Sequence, residues 1–302
     1  MKVGDLDILI GADPEVFVTK RGKLVCAHNM VQGTKEAPFK VDNGAVQVDG
    51  MALEFNIDPA NSAEEFVNNI DSVMAQLGAM VPEYQLKAIP VAEFGAEIMA
   101  AAPEEAKEMG CDPDYNAWEE GAVNPKPNGE VDFRTGAGHI HIGWTNGMDI
   151  NDPGHIEACI MLTKQLDFYL GLPSLLFDDS DKRRELYGKA GAFRVKPYGV
   201  EYRVLSNAWL KTDALKKWAY DNTILAIRKL LEGEYREDTS CRIIIDGNRK
   251  QTARTWCQHY GVPIPAIPAK KIPKPAAIDN NCKAYNKTPF KAFFGDDNVQ
   301  RT

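Results

Sequence analysis

The chain contains 302 residues, of which 44% are hydrophobic and 26% are charged. This composition is typical of a globular protein with one large core or two smaller ones. Its formal net charge of −8 argues against binding to nucleic acid, which requires a basic surface. The sequence has no run of 18 apolar residues and no hydrophobic leader after Met1, so we expect a cytoplasmic protein that does not enter a membrane.

The six cysteines are scattered without a C-x-x-C pair, which favours free thiols over a zinc cluster or a disulfide framework. The charge is uneven, because residues 262–302 contain seven Lys or Arg and three Asp while the rest of the chain is acidic. Five prolines from Pro263 to Pro275 also preclude regular structure there. We therefore divide the chain into a folded domain, residues 1–261, and a Pro/Lys-rich C-terminal arm, residues 262–302.

The first half of the chain alternates between apolar and polar residues in a way that predicts β-strands. Residues 8–18 predict two strands joined by a bend, and residues 45–57 predict two more around a turn. Asn61-Ser62 precedes apolar residues at helical spacing, which predicts a capped amphipathic helix ending near Gly78. Residues 86–94 predict another strand. We treat residues 95–130, rich in Pro, Gly, Asn and acidic side chains from 101 onward, as a long excursion near the functional site.

The second half mixes strands and helices. Residues 132–144 predict a central strand, and residues 154–170 predict a mostly buried helix. After a polar, arginine-rich segment at 178–197, we expect a strand at 200–205 and a long helix from Thr212-Asp213 to about Leu231. A last helix is predicted over residues 249–260. The chain shows no internal repeat of fixed period.

The central strand carries the segment Gly136-Ala-Gly-His-Ile-His-Ile-Gly143. Residues i and i+2 of a strand point to the same face. His139 and His141 should therefore leave the sheet side by side, with Ile140 and Ile142 facing the core. Because histidine is the commonest metal ligand, this pattern favours a ligand-binding site over two histidines that are merely satisfied within a sheet.

In three other predicted strand segments, acidic side chains occupy polar positions that alternate with apolar ones. These segments carry Asp13 and Glu15, Asp49 and Glu54, and Glu201 with Arg203. Any one of these could be a solvent-facing position on a half-exposed sheet, but together they favour one shared face. Several carboxylates with few imidazoles favour Mg²⁺ or Mn²⁺ over structural zinc.

Basic residues in the arginine-rich segment and just after it indicate which chemistry such metals would support. Arg183, Arg184, Arg194 and Arg203 fall within 21 residues, with Lys189 among them. Arginine matches phosphate oxygens, and carboxylate-held metals facing arginines are typical of phosphoryl transfer from a nucleotide. The alternative for Arg183 and Arg184 is a solvated charged turn. The sequence lacks the P-loop and protein-kinase motifs, so a nucleotide site here would belong to neither class.

Five segments, in this order, resemble the glutamine synthetase / glutamate–cysteine ligase superfamily, in particular its phage-type carboxylate–amine ligases (COOH·NH2 ligase, type 2). They are Gly11-Ala-Asp-Pro-Glu-Val-Phe17, Val48-Asp-Gly-Met-Ala-Leu-Glu-Phe-Asn56, Gly136-Ala-Gly-His-Ile-His-Ile-Gly143, Tyr187-Gly-Lys-Ala-Gly-Ala-Phe-Arg194 and Tyr198-Gly-Val-Glu-Tyr-Arg-Val-Leu-Ser-Asn207. The resemblance implies that residues 1–261 form an amidoligase catalytic domain of the α+β class. It also implies a curved antiparallel sheet with helices on one face, the active site on the concave face, and, for a phage protein, the host cytoplasm.

The resemblance further implies ATP and two or three Mg²⁺ or Mn²⁺ ions as cofactors. It assigns metal binding to Glu15, Glu54, His139 and Glu201, with Asp49 a weaker candidate. It assigns contact with the ATP phosphates to His141 and Arg194. Contact with the substrate carboxylate, or its phosphorylated form, is assigned to Arg203. The roles of His139 and His141 are interchangeable on this reasoning. From the arginine-rich segment we add Arg184 and Lys189 as candidates for binding the nucleotide. Arg203, Arg194 and Glu201 form the expected catalytic set.

The implied reaction joins a small-molecule or peptide carboxylate to an amine through an acyl phosphate. Metals and arginines would offset the repulsion between the two anions, and a loop carboxylate such as Glu119 or Glu120 could take the proton of the amine. Three alternatives remain: a guanidino-kinase-like phosphotransferase, a cupin-like enzyme with a single metal, and a non-catalytic binding protein. The sequence leaves open the two substrates and whether the chain forms a homo-oligomer.

Overall fold

The computed structural model describes residues 1–107, 113–126, 131–178 and 180–266. The strands are β1 (Lys2–Val3), β2 (Leu6–Asp7), β3 (Leu9–Ala12), β4 (Glu15–Lys20), β5 (Lys23–Val25), β6 (Phe39–Val41), β7 (Gly44–Asp49), β8 (Ala52–Ile57), β9 (Gln85–Lys87), β10 (Val91–Glu93), β11 (Tyr115–Asn116), β12 (Ala122–Val123), β13 (Phe133–Thr135), β14 (Ile140–Gly143), β15 (Ala192–Lys196) and β16 (Gly199–Tyr202). The helices are α1 (Ala63–Met80), α2 (Gly95–Ala101), α3 (Glu104–Lys107), α4 (Pro153–Leu166), α5 (Leu172–Ser174), α6 (Arg183–Leu186), α7 (Asp213–Leu231), α8 (Ser240–Asp246) and α9 (Lys250–Tyr260). Short 3₁₀ segments cover Ala117–Glu119 and Asn207–Lys211, and a π-helical turn covers Asp167–Gly171.

Two six-stranded sheets form the framework. The first has the order β12-β11-β15-β16-β14-β3, and the second has the order β5-β4-β8-β7-β6, with β9 also paired to β4. Every pairing among the described strands is antiparallel. Only Asp13 and Pro14 separate β3 from β4, so this short loop joins the two sheets. The predicted α+β class with antiparallel sheets is confirmed, whereas the curvature of the sheet stays a prediction.

The hairpin of β7 and β8 shows how alternation builds the second sheet. Leu53 and Phe55 of β8 are fully buried, and α1 packs across both strands. The buried side chains of α1 recur at helical spacing, as an amphipathic helix on a sheet requires. The helix begins where predicted, because the side chain of Ser62 accepts a hydrogen bond of 3.2 Å from the backbone N–H of Glu65.

Helices α4 and α7 pack against each other, and α4 also contacts β15 and β16 of the first sheet. Aromatic side chains connect this layer to α1: the ring of Phe66 lies 5.9 Å from that of Trp209 and 5.7 Å from that of Tyr220. Burying each such side chain contributes roughly 1.5–3 kcal/mol. The two sheets therefore share one helical layer and one main core. Among the described residues, no helix is both long and apolar enough to cross a membrane.

Two predicted strands are divided in the structure. The strand predicted at 86–94 is β9 and β10, with Pro90 between them, which has no N–H to offer a neighbouring strand. The strand predicted at 132–144 is β13, which pairs with β10, and β14, which pairs with β3 and β16. Gly138 lies in the break, where a Cβ atom would come within 2.5 Å of the Ser206 carbonyl oxygen and of Trp209 Nε1. The close approach of these segments therefore requires glycine.

The helix predicted at 154–170 ends its α-helical part at Leu166 and continues as the π-helical turn. That turn presents Asp167, which is fully buried. The carboxylate accepts a hydrogen bond of 2.7 Å from Tyr202 Oη and one of 2.6 Å from Trp118 Nε1. Burial raises the pKa of Asp167 to about 7, in spite of these two hydrogen bonds. One side chain thus links the helical layer, β16 and the predicted excursion.

Several elements have no counterpart in the sequence predictions: β1, β2, β6, α6, β15, α8 and those of the excursion. Within the excursion, residues 95–101 and 104–107 form α2 and α3, and β11 and β12 extend the first sheet beyond β15. Residues 108–112 and 127–130 of the excursion lie outside the described residues, as do residues 267–302 of the predicted arm. Residues 262–266 contain no helix or strand, and the proposed division at residue 261 stays a prediction.

Candidate functional site

The side-by-side arrangement of the two histidines is confirmed, with one correction to the strand. β14 begins at Ile140, so His139 immediately precedes the strand instead of lying within it. Ile140 is fully buried, while His141 lies directly opposite Glu201 of β16, which lies opposite Arg194 of β15. One row across three strands therefore carries an imidazole, a carboxylate and a guanidinium group.

Asp13, in the loop between β3 and β4, completes a group of four that we name the histidine cluster: Asp13, His139, His141 and Glu201. Asp13 Oδ1 lies 3.0 Å from His141 Nε2 and 3.3 Å from His139 Nδ1. Both Asp13 Oδ1 and His141 Nε2 are buried, and neither forms a well-directed hydrogen bond with the described residues. Ligand atoms of Asp13, His141 and Glu201 lie within 4.8 Å of one another, so these donors fit a shared cation.

Glu201 is almost completely buried, with 1% of its surface exposed, and cationic side chains surround it. Arg203 Nη1 contacts its Oε1, Arg194 Nη1 lies 3.5 Å from the same oxygen, and Lys196 Nζ lies 2.8 Å from Oε2. Burial alone would raise the pKa of this carboxyl group. The charge of Arg203, with that of the two histidines, outweighs burial and holds the pKa of Glu201 well below its usual range. The group is therefore ionised at neutral pH.

A second group of carboxylates, named the acidic cluster, consists of Glu15, Asp49 and Glu54. Glu15 of β4 lies directly opposite Glu54 of β8, and Asp49 ends the neighbouring β7. Like charges placed opposite each other destabilise a sheet. Burial, together with the charge of Asp49, raises the pKa of Glu15 to about 8. Burial and the neighbouring carboxylates likewise raise the pKa of Glu54 well above its usual value.

The acidic cluster has the chemistry of a site for a hard cation. One oxygen from each of its three carboxylates lies within 4.8 Å of the others, and carboxylate oxygens are the ligands that Mg²⁺ and Mn²⁺ prefer. A bound divalent cation would remove the repulsion that raises the two pKa values. The residues predicted to bind metal are therefore divided between two adjacent clusters. The identity and number of the ions stay predictions.

Arg203 contacts three side chains that fix its position. Besides its contact with Glu201, its Nη1 lies 3.3 Å from His139 Nδ1, and its Nε donates to Asp114 Oδ2 at 3.3 Å. Burial lowers the pKa of His139, and the neighbouring charge of Arg203 lowers it further. Both Arg203 and Arg194 line the cleft described below, so the structure brings these two predicted residues to the histidine cluster.

The other predicted basic residues have different surroundings. Arg183 is fully buried and donates to the carbonyl oxygens of Val204, at 2.8 Å, and Leu205, at 2.9 Å, so it fixes the chain after β16. Arg184 is 4% exposed, and neither Arg184 nor Lys189 is among the residues that line the cleft. The geometry therefore gives no support to nucleotide binding by Arg184 or Lys189.

Both clusters open into a cleft with a volume of about 1540 Å³. Its lining changes along the direction of β14. Beyond Gly143, the lining includes Leu9, Trp144, Met148 and Tyr198. On the side that precedes His139, it includes Phe17, Met51, Ala106, Arg134 and Tyr187. The two carboxylate clusters lie between an end where these apolar and aromatic side chains alternate with polar ones, such as Asp7 and Asn146, and an end that carries a further arginine.

Some residues of the site were not assigned from the sequence. Lys196 follows Arg194 by two positions on β15, so the spacing rule applied to the histidines could have found it. Asp114 lies in an irregular stretch, where no periodic pattern gives a signal. Glu119 and Glu120, considered as acceptors of the amine proton, instead pair with Arg242 and Lys164 and do not line the cleft.

Comparison with known families agrees with the resemblance drawn from the motifs. Residues 116–244 match the family described as phage phiEco32-like COOH.NH2 ligase-type 2. The name of this family denotes ligases that join a carboxylate to an amine. The matched stretch contains His139, His141, Arg194, Glu201 and Arg203, whereas Asp13 and the acidic cluster precede it. No curated protein matches the chain significantly.

Proposed function

We propose that this chain, which matches the phage-type COOH·NH2 ligase family over residues 116–244, is an ATP-dependent ligase that works through an acyl phosphate. The observation that carries the proposal is the presence of two carboxylate clusters in one cleft, beside Arg194, Lys196 and Arg203. Acidic side chains that can hold divalent cations, next to basic side chains that can contact phosphate, are what phosphoryl transfer requires.

The size of the cleft supports two substrates. Its volume of about 1540 Å³ exceeds the roughly 300–1,000 Å³ typical of a pocket for one small ligand. We assign the base of the nucleotide to the end lined by Leu9, Trp144 and Tyr198, since flat apolar and aromatic side chains suit a heterocycle. The phosphates then lie by the two clusters, and the acid and amine occupy the other end.

A carboxylate is a poor electrophile, because its negative charge resists attack by an amine. In the first proposed step, a carboxylate oxygen attacks the γ-phosphorus of ATP, the bond from that phosphorus to the bridging oxygen breaks, and ADP leaves with the electron pair. In the second step, the amine nitrogen attacks the acyl carbon, the carbon–oxygen bond to the phosphate breaks, and inorganic phosphate leaves. The leaving phosphate takes one proton from the nitrogen, and an amide remains.

The first step brings two anions together, so charge compensation dominates catalysis. Arg194, Lys196 and Arg203 offer positive charge to the transferred phosphoryl group. Glu201 contacts all three and so fixes their positions, while Asp114 holds Arg203 from the other side. Mg²⁺ or Mn²⁺ bound at the two clusters would neutralise phosphate charge.

The test measures ADP and phosphate release with Mg-ATP across a library of carboxylic acids and amines. We compare the wild type with Glu201→Gln and with a control, Glu185→Gln, whose residue is exposed on α6. Some acid and amine pair should release equal amounts of ADP and phosphate with the wild type and the control, and none above background with Glu201→Gln. A library without any such pair would contradict the proposal.

The same assay separates the alternatives. A guanidino-kinase-like enzyme would release ADP without an amine and leave a stable phosphorylated product. A cupin-like enzyme would bind one transition metal tightly and no nucleotide. For a non-catalytic protein, Glu201→Gln would leave the function unchanged.

A further inference from the structure

Arg134 is a cationic residue of the cleft that the proposed mechanism does not use. It lies on β13, at the end of the cleft away from Trp144. Its Nη1 donates to the carbonyl oxygens of Phe133, at 2.8 Å, and Val131, at 3.1 Å, and its Nη2 donates to that of Lys107, at 2.9 Å. Three of its five N–H groups therefore fix the orientation of the guanidinium group.

The charge of Arg134 is not paired with a carboxylate in the way that the charges of Arg194 and Arg203 are. Arg203 contacts Glu201 and Asp114, and Arg194 lies beside Glu201. Among the described residues, no carboxylate lies within 4.0 Å of Arg134, and its buried Nε–H has no hydrogen-bond partner. Carbonyl oxygens orient a guanidinium group but do not cancel its charge. Within the described part of the chain, the positive charge of Arg134 therefore has no carboxylate partner and is available to an anion in the cleft.

Tyr187 gives a second, independent indication of a ligand. Its hydroxyl group is buried and has no hydrogen-bond partner among the described residues, although such groups are rarely left unsatisfied. The phenol and Arg134 line the same cleft. Burial raises the pKa of Tyr187 to about 12, and the nearby charge of Glu15 adds to this effect. The hydroxyl group therefore keeps its proton at neutral pH and can donate it in a hydrogen bond.

The wall of the cleft beside these two residues is apolar. Phe17 and Met51 line it and are almost completely buried, and Ala106 is packed with them. A guanidinium group and a phenolic donor next to such a wall suit a carboxylate on a short aliphatic stem. We propose that Arg134 and Tyr187 form the subsite that binds a carboxylate group of the acid substrate. That the bound anion is the acid substrate rests on the proposed function, whereas the presence of an anion site rests on the geometry alone.

The probe is glutarate, with uncharged glutaramide as its matched analogue, titrated in the presence of Mg²⁺ and followed by calorimetry. Arg134→Gln removes the charge, and glutarate should bind about tenfold or more weakly, since charge-assisted hydrogen bonds are lost. Tyr187→Phe removes only the hydroxyl group, and we expect about three- to tenfold weaker binding. Arg228→Gln, at an exposed position of α7, removes the same charge outside the cleft and should leave binding unchanged.

Tyr187→Phe keeps the test decisive if Arg134→Gln fails to fold, because the hydroxyl group has no partner whose loss could destabilise the protein. Its melting temperature should equal that of the wild type. Three results would overturn the subsite: no glutarate binding by the wild type, equal binding of glutaramide, or unchanged glutarate binding by Tyr187→Phe. Mg-ATP is titrated separately, and its failure to bind the wild type would refute the proposed function without deciding the anion site.

Discussion

The two carboxylate clusters lie in the same cleft, yet their charges are stabilised in opposite ways. In the histidine cluster, Glu201 contacts three cationic side chains, and its pKa lies well below the usual range. In the acidic cluster, Glu15 faces Glu54 directly and its pKa rises to about 8. Loss of solvent raises the pKa of Glu201 and of Glu15 alike, so the neighbouring charges decide which of the two carboxylates holds a proton. The fold compensates the charge of Glu201 with cations, whereas the like charges of the acidic cluster add to burial in raising the pKa of Glu15 and Glu54.

The largest effect should come from removing the compensation around Glu201. Arg203→Met leaves a buried carboxylate with one cationic contact fewer, and breaking such a pair costs about 3 kcal/mol of unfolding free energy. Turnover should also fall about a hundredfold to a thousandfold, because an oriented cation is lost from the transition state. Urea denaturation and ADP release measure the two effects.

Arg203→Lys serves as the control for that experiment. It should recover most of the stability, since the positive charge remains, but little of the turnover, because lysine lacks the planar fork of arginine. If Arg203→Met has the stability of the wild type, the charge of Arg203 does not stabilise the ionised carboxylate of Glu201.

The second prediction concerns the acidic cluster, where a substitution should stabilise the protein. At mildly alkaline pH and without divalent cations, Glu54→Gln removes like-charge repulsion and should raise the unfolding free energy by about 1 kcal/mol. With Mg²⁺ at a hundredfold excess over its dissociation constant, the wild type should gain about 2–3 kcal/mol, and the variant much less. The order of stability then reverses.

Urea unfolding with and without Mg²⁺ measures both parts. Glu64→Gln, at an exposed position on α1, is the matched control and should show the Mg²⁺ response of the wild type. A variant that responds to Mg²⁺ as strongly as the wild type would remove Glu54 from the proposed cation site.

Asp167 extends the comparison to a buried carboxylate that receives hydrogen bonds from the neutral donors Trp118 and Tyr202. Its pKa is raised to about 7, so between pH 5 and pH 7 the folded state binds the proton that the unfolded state has lost. Stability should therefore fall as the pH rises, by about 2 kcal/mol over this range. Asp167→Asn should lack this contribution.

The measurement is the change in unfolding free energy between the two pH values, since the absolute stability of Asp167→Asn also reflects a lost acceptor. Equal pH dependence in the two proteins would show that Asp167 is ionised in the folded state at pH 5, as an unperturbed carboxyl group would be.

The smallest effect is expected at a pair that lies outside the cleft and near solvent. Arg242 contacts Glu119, and their side chains are 35% and 47% exposed. Water screens such pairs, so Arg242→Gln should change the unfolding free energy by less than about 0.5 kcal/mol and leave turnover unchanged. A loss comparable to that of Arg203→Met would mean that charge pairing outside the cleft matters as much as pairing within it.

The part of the site that lies on strands could be predicted from the sequence, because a period of two residues is a local property. It placed His139 beside His141 and Glu201 beside Arg203. The same rule would place Lys196 beside Arg194, but no strand was predicted over β15. Asp13 was recognised as a polar residue but not assigned to the metal ligands. It lies in a loop whose path depends on how the two sheets meet, and no local pattern specifies that.

The sequence could not show that Arg183 lines the cleft and Arg184 does not, because a run of charges does not show which way a short helix packs. Asp114 and Arg134 reach the cleft through irregular or very short segments, and their roles follow from tertiary contacts. For the fold, long patterns such as those of α1 and α7 were predicted closely. The central strand was predicted as one element because its apolar alternation continues on both sides of the break at Gly138.

The close packing at Gly138 affects how the two histidines are interpreted when they occur in a related sequence. A side chain at this position would displace the segment before β14 from Ser206 and Trp209, and with it the backbone that carries His139 towards Arg203. The two histidines are informative in another chain only when this glycine accompanies them. A sequence that keeps both imidazoles but replaces the glycine should be classed with proteins that have lost the site.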